Sequence, residues 1–145
     1  MQNHFSLLRN DQQPVIDYCR ENGITYYAYM VLEQAALSGH YDAKHHFPTL
    51  SMRNFSFPAR KFKKIEGLLS LMKELAATYK VDPSQIPVLW VLGRGAVPIV
   101  GITKPSHAEK LGAAMKVTLS DGDMLRLEEA AAATGLRQQG MWEPQ

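Results

Sequence analysis

The side chains best suited to chemistry in this sequence are its tyrosines, its histidines and one cysteine. Three tyrosines fall in the stretch "ITYYAYM", Ile24 to Met30. A tyrosine ring can lie against a flat ligand, or it can fill a core with its hydroxyl hydrogen-bonded. Tyr29 is open to either use, and Tyr26 and Tyr27 are expected to pack. His45 and His46 are adjacent imidazoles, but only Asp42 stands near them at ligand spacing, so a solvated loop is expected rather than a metal site. Cys19 has no neighbouring base and sits among apolar residues, which predicts a buried, inert thiol. Glu33 and Asp17 supply carboxylates whose spacing defines no acid–base pair. The basic run "ARKFKK", Ala59 to Lys64, reads first as a solvated face, with contact to a phosphate as the alternative.

These residues need elements to hold them. "NHFSLL", "ITYYAYM" and "VPIVGI" read as three strands, each apolar on both faces, as buried parallel strands are. "NDQQPVIDYCREN" predicts a helix capped by Asn10 or Asp11, with Pro14 in its first turn and Gly23 at its end. "VLEQAALSGHY" predicts a turn of helix closed by Gly39, and Asp42 to Arg60 a long irregular segment of the kind that is functional or disordered. Phe62, Ile65, Leu69, Met72, Ala76 and Tyr79 alternate spacings of three and four, which predicts one helix from about Lys61 to Tyr79. Ser84 and Ser120 are expected to cap two further helices, and "PSHAEKLGAAM" forms another. Strands alternating with helices predict parallel βα units with right-handed connections, whose sites gather at the C-terminal strand ends. Three strands with about five helices form part of such an architecture, in a single domain over residues 1–145.

Composition narrows the function classes. A chain of 145 residues, 46% hydrophobic, is long enough for a real core. A formal charge of +2, with both signs interspersed, argues against nucleic acid as partner. No run of about 18 apolar residues exists, so no membrane span is expected. The first ten residues lack the basic start and apolar run of a secretory signal, and one cysteine fits a reducing compartment, so the expected location is cytoplasmic.

Four collinear segments resemble the aldo-keto reductase family, specifically its C-terminal portion. "QNHFSLL" is similar to the family's sixth barrel strand, Gln-x-x-Tyr-Ser-Leu-Leu. "VIDYCRENGITYYAYMVLEQAALSGHY" is similar to the family's segment CRENGIxxxAYSPLxxGLLTGKY through the seventh strand. "DPSQIPVLWVLGRGAVPIVGITKPSHAEKL" is similar to the segment ending in the eighth strand and its helix, and "TGLRQQGMWE" to a common tail. The resemblance implies an α/β fold, a partial (β/α)8 TIM barrel, and an NADPH-dependent carbonyl oxidoreductase ancestry.

It also implies site residues. Tyr29 would stack on the nicotinamide, Gln2 would bond its carboxamide, and Met30 and Leu32 would line the pyrophosphate path. Gly101, Ile102, Thr103, Lys104 and His107 would hold the 2′-phosphate and adenine. A helix N-terminus at Ser106 beside Lys104 and His107 is a physically sensible phosphate site. Three departures predict weak cofactor binding: Met30 for a family serine, His107 for an arginine, and Lys110–Leu111 for a Glu–Asn pair. None of the segments that carry the family's catalytic Asp, Tyr, Lys and His has a match, so no catalytic residue is expected; no metal is expected either, on the ligand spacing around His45 and His46. Apolar strand faces that five further strands would cover predict self-association, with a symmetric homodimer favoured. An N-terminal partner fragment and a free-standing non-catalytic module are the accompanying expectations.

Overall fold

A computed structural model of the chain describes residues 1–136; the tail from Arg137, expected to resemble the family's, lies outside the described residues. Three strands, β1 (Gln2–His4), β2 (Tyr27–Tyr29) and β3 (Val97–Pro98), form one parallel sheet in the order β1-β2-β3. Gln2 pairs with Tyr27, which pairs with Val97; Asn3, Ala28 and Pro98 form the next row. All three ladders are shorter than the sequence predicts. β1 stops because Ser6 and Arg9 close a tight turn on each other, with both N–H···O bonds 3.0 Å. β2 stops at Met30, whose φ of 59° leaves the extended region. In β3, Val97 and Ile99 donate to the Tyr26 and Ala28 carbonyls at 2.8 Å, and Pro98 between them turns its N, which has no hydrogen, to the sheet edge, where none is needed.

Seven helices accompany the sheet among the described residues: α1 (Gln13–Glu21), α2 (Met52–Ser56), α3 (Ala59–Lys64), α4 (Glu66–Tyr79), α5 (Gln85–Gly93), α6 (Pro105–Ala114) and α7 (Asp121–Ala133). α1 carries Pro14 in its first turn and ends before Gly23, at φ 68°. Its N-cap is Gln12, not Asn10 or Asp11, and makes no side-chain cap bond, because the Ser6–Arg9 turn carries Asn10 and Asp11 past before the helix begins. The predicted helix from Lys61 to Tyr79 is two helices, α3 and α4, broken at Ile65 (ψ 8°). The break lets Phe62 join an aromatic cluster while Leu68, Leu69, Met72, Leu75 and Ala76 stay in the core. α2 and the start of α3 form within the segment expected to be irregular. Ser120 caps α7 by accepting from the Asp123 N–H, as predicted, whereas Ser84 starts α5 without a side-chain bond.

α5 is buried from Gln85 to Val91, as expected of a helix wedged between sheet and outer helices. Trp90 stacks on Phe5 at 5.0 Å and donates its Nε1–H to Glu128 of α7 at 3.0 Å. Glu128 also accepts from Arg94, which ties the end of α5 to α7. Ile16 and Cys19 of α1 are buried with Phe5, Tyr26 and Ala28, so the thiol is structural.

The strands are not apolar on both faces. On the helix-covered face Phe5, Tyr26, Ala28 and Ala96 are buried. The opposite face presents Gln2, Tyr27 and Val97 in one row and His4 and Tyr29 in the next. Tyr27 is 44% exposed, Val97 43% and Ile99 45%. Tyr27 is therefore not a packing residue, because no layer lies over it. Tyr26 is one, but its hydroxyl has no hydrogen-bond partner among the described residues.

Candidate functional site

The C-terminal ends of the parallel strands, together with the loops that leave them, hold the densest set of polar side chains. β2 ends in Tyr29, whose ring lies 5.8 Å from that of His4 across the β1–β2 ladder. The chain then turns through Met30 to Gly39, where a helix is predicted. The backbone there takes φ 59° at Met30, 47° at Glu33, 56° at Gln34 and 79° at Ala35, and these left-handed values exclude a continuous α-helix. Local N–H···O bonds close the turn instead, including Glu33 to Met30 at 2.9 Å and Leu37 to Leu32 at 3.0 Å.

Glu33 explains the shape of this turn. Its side chain is buried at the head of β1, where Oε1 lies 2.8 Å from His4 Nε2 and accepts a hydrogen bond from Ser6 Oγ. Ser6 Oγ in turn accepts from the Leu8 N–H at 3.2 Å. A carboxylate at this depth is tolerated because both neighbours bond it. Asp17 has no part in it; the partners of Glu33 are His4 and Ser6, which the sequence does not single out. The arrangement is not a nucleophile relay, because the serine hydroxyl bonds the carboxylate rather than the imidazole.

Beyond the turn lies a groove of about 410 Å³. One wall is Leu32 with Ser38–His40, another Asp82–Gln85 and Val88, and the third Val100–Thr103 with His107, Lys110 and Leu111. Gly39 brings the first two walls together. It takes φ 80°, and a Cβ there would sit 2.7 Å from Pro83 Cβ. Lys110 crosses to Asp82 at 3.1 Å and so bridges α6 to the loop before α5. Gly101 has open space beside it: a Cβ there would meet no atom within 4 Å.

The structure thus brings Leu32, Gly101, Ile102, Thr103 and His107 into one groove. Gln2 and Tyr29 stand apart from it, on the exposed sheet face, and Met30 is the link between the two regions. Lys104 is exposed at the N-cap of α6, in extended conformation and outside the groove lining, and its carbonyl accepts the His107 N–H at 3.0 Å. Sequence alone shows Lys110 only as a lost contact; its place in the groove wall emerges when α6 and the Asp82 loop are seen together.

The remaining candidates resolve locally. Asp42 accepts from the backbone N–H groups of His45 (2.7 Å) and Lys44 (2.8 Å), and the His45 bond chiefly holds its carboxyl below the usual range. His46 Nδ1 lies 2.8 Å from the Phe47 carbonyl oxygen. Among the described residues no group of three or more His, Cys, Asp or Glu is placed to hold a metal. Lys61 lies over the Phe57 ring and donates to the Ser56 carbonyl at 2.8 Å; burial, then the charge of Arg60, lowers its pKa. Burial pushes the Tyr26 phenol up to about 12, reinforced by Cys19 and Asp11.

Comparison with known proteins gives one consistent result. The sequence pattern of the Aldo/keto reductase family matches residues 1–132. An aldo-keto reductase of Schizosaccharomyces pombe whose name carries NADP(+) is 30% identical over 120 residues, 80% of this chain and 35% of that protein. The structure of a glycerol dehydrogenase from Gluconobacter oxydans superposes with a TM-score of 0.77 at 20% identity, covering 90% of this chain and 41% of its own. A variant of Gox0644 solved in complex with NADPH superposes with a TM-score of 0.59 at 12% identity, over 89% of this chain and 36% of its own. The three-stranded sheet and its helices are therefore an α/β unit that matches part of a TIM barrel, and the chain spans about 35–41% of the length of these proteins.

Proposed function

Because this chain belongs to the aldo/keto reductase family, we propose that it carries one wall of an NADPH site and none of the acid that completes carbonyl reduction. The observation that supports this is the sequence of surfaces running from Tyr29 through Met30 and Leu32 to the groove formed by Gly101, Ile102, Thr103 and His107. The residues fit the cofactor in kind. Tyr29 offers a half-exposed ring for the nicotinamide, Gln2 an exposed amide on the same sheet face, and the groove an apolar floor for adenine. Lys104, at the head of α6, and His107 offer positive charge toward a phosphate. When bound, NADPH supplies hydride to a carbonyl carbon; the proton for the carbonyl oxygen must come from a general acid. No side chain at this sheet edge takes that role, since His4 is engaged by Glu33 and Tyr29 is assigned to stacking.

Two measurements on the purified chain test the reading. Calorimetric titration should give weak NADPH binding that Tyr29→Ala reduces further; equal binding by the two proteins would remove Tyr29 from the site. NADPH oxidation with a panel of aldehydes should stay at background, because a general acid alone is worth about 10²–10⁴-fold in rate. Turnover that survives repurification would overturn the inactive reading.

The exposed sheet face favours a second reading, a non-catalytic module that self-associates. Tyr27, Val97 and Ile99 form an uncovered apolar row beside unpaired edges of β1 and β3. Two copies related by a two-fold axis would cover each other, and an N-terminal partner fragment would cover the same face. Light scattering after size exclusion should return a dimer; a sharp monomer peak near 16.3 kDa would reject self-association.

A further inference from the structure

Charge is segregated along this chain. From Ala43 to Ile65 there are six basic residues and no acidic one; the other ten basic residues face all fourteen acidic ones, a net of −4. Elsewhere every described arginine has an acidic partner, Arg9 with Asp11, Arg20 with Asp17, Arg94 with Glu128 and Arg126 with Glu74, as does Lys110 with Asp82, and the other described lysines are scattered singly along the chain. Within the segment, Lys44, Arg53, Arg60, Lys63 and Lys64 are exposed, and none of the described acidic residues pairs with them.

The same segment exposes its apolar side chains. Leu50 is 100% exposed, Met52 88% and Phe55 93%. They project from a fixed base. Ser51 caps α2 by accepting from the Asn54 N–H at 3.1 Å, and Phe47, Phe57 and Phe62 beneath are buried, ring to ring at 5.4 and 4.8 Å. Arg53 sits over the Phe47 ring at 5.9 Å and Lys61 over the Phe57 ring at 5.6 Å, so these two cations share one platform with the base and the tips.

We propose that this platform docks on an anionic phospholipid surface, with Leu50, Met52 and Phe55 entering the headgroup boundary and the basic side chains resting among the phosphates. The charge complementarity names the partner, and the form of the apolar groups decides its kind. Projecting tips suit a medium that yields around them. A nucleic acid would offer bases to stack, which leucine and methionine cannot exploit. The absence of a helix long and apolar enough to cross a membrane among the described residues has no bearing on a surface contact.

Co-sedimentation with phospholipid vesicles tests this without reference to NADPH. The chain should bind vesicles of phosphatidylcholine containing about 30% phosphatidylserine, and barely bind phosphatidylcholine alone. Each basic group at such a surface is worth about fivefold, so Arg53→Glu with Arg60→Glu, both exposed in the segment, should weaken binding at least about 25-fold. Leu50→Ser with Phe55→Ser, at sites too exposed to matter for folding, should weaken it about tenfold or more. Lys116→Glu, an exposed lysine outside the segment, should change it only by about the general effect of net charge, roughly twofold. Absence of binding, equal binding to neutral vesicles, or an equal loss with Lys116→Glu would overturn the proposal. So would retention by the Leu50–Phe55 variant together with displacement by duplex DNA, which would make the segment a nucleic-acid surface.

Discussion

Glu33 is held on one side by an imidazole and on the other by a serine hydroxyl, and among the described residues neither partner bonds another acid. Glu33→Ala should therefore cost about 3 kcal/mol, the usual result of leaving two buried polar groups without a hydrogen-bond partner. Glu33→Gln, which keeps an acceptor oxygen, should cost closer to 1 kcal/mol. Thermal unfolding of the two variants checks both the sum and the order. Tyr26 works in the opposite direction. Its hydroxyl is buried without a partner among the described residues, so Tyr26→Phe should be neutral or stabilising by up to about 1 kcal/mol. The raised phenol pKa carries a sign: the folded state holds the proton more tightly than the unfolded one, so the stability it contributes is present below pH 10 and lost as pH rises toward 12. Unfolding curves across that interval should fall for the parent and fall less for Tyr26→Phe. Of these two residues the sequence announces only Tyr26 as a core aromatic. Glu33 and His4 lie 29 positions apart, and no local pattern joins them. Leu32, Gly101, Ile102, Thr103 and His107 are named through the family resemblance rather than any local pattern, and they fall in one groove, whereas Lys104 does not.

The turn from Met30 to Gly39 is the element whose sequence misleads. "VLEQAAL" is built of good helix formers, and propensity alone makes it a helix. Tertiary demand wins: burying Glu33 against His4 and laying Leu32 and Gly39 on the groove requires left-handed residues in sequence. Gly39→Ala tests the turn at its tightest point. The added methyl meets Pro83 at 2.7 Å and must also take a positive φ, so a loss of about 2 kcal/mol or more is expected in denaturant unfolding. Ala35→Gly, which relieves φ 79°, should gain about 0.5–1 kcal/mol. The helices α1, α4, α5, α6 and α7 were legible from apolar spacing, proline and glycine. The break at Ile65 was not, since the stripe from Phe62 to Met72 keeps its period across it. Strand lengths are overestimated by sequence because apolar runs mark burial, whereas ladder bonds also need N–H groups and extended backbone.

For the molecule as a whole, one face of the sheet is layered with helices and the other is open at Tyr27, Val97 and Ile99, with His4 covered by Glu33. That a face needs covering is predictable from sequence, but its mixed character is not, because Gln2, His4 and Tyr29 fall on one face only once the register is known. If two copies cover this face, Val97→Lys with Ile99→Lys should shift the light-scattering mass from dimer toward 16.3 kDa while the helical signal in circular dichroism persists. The strand order has a consequence in time. Because β1, β2 and β3 neighbour one another in the order they are synthesised, each ladder can close as soon as its second strand is made. The first joins Gln2 to Tyr27, a separation of 27 − 2 = 25 residues, and the second joins Tyr27 to Val97, a separation of 97 − 27 = 70. Chain-closure entropy makes the second dearer by about 0.9 kcal/mol. The β1–α1–β2 unit should therefore acquire hydrogen-exchange protection first during refolding, with the edge occupied by β3 left open to a strand from another chain until residues near 97 arrive.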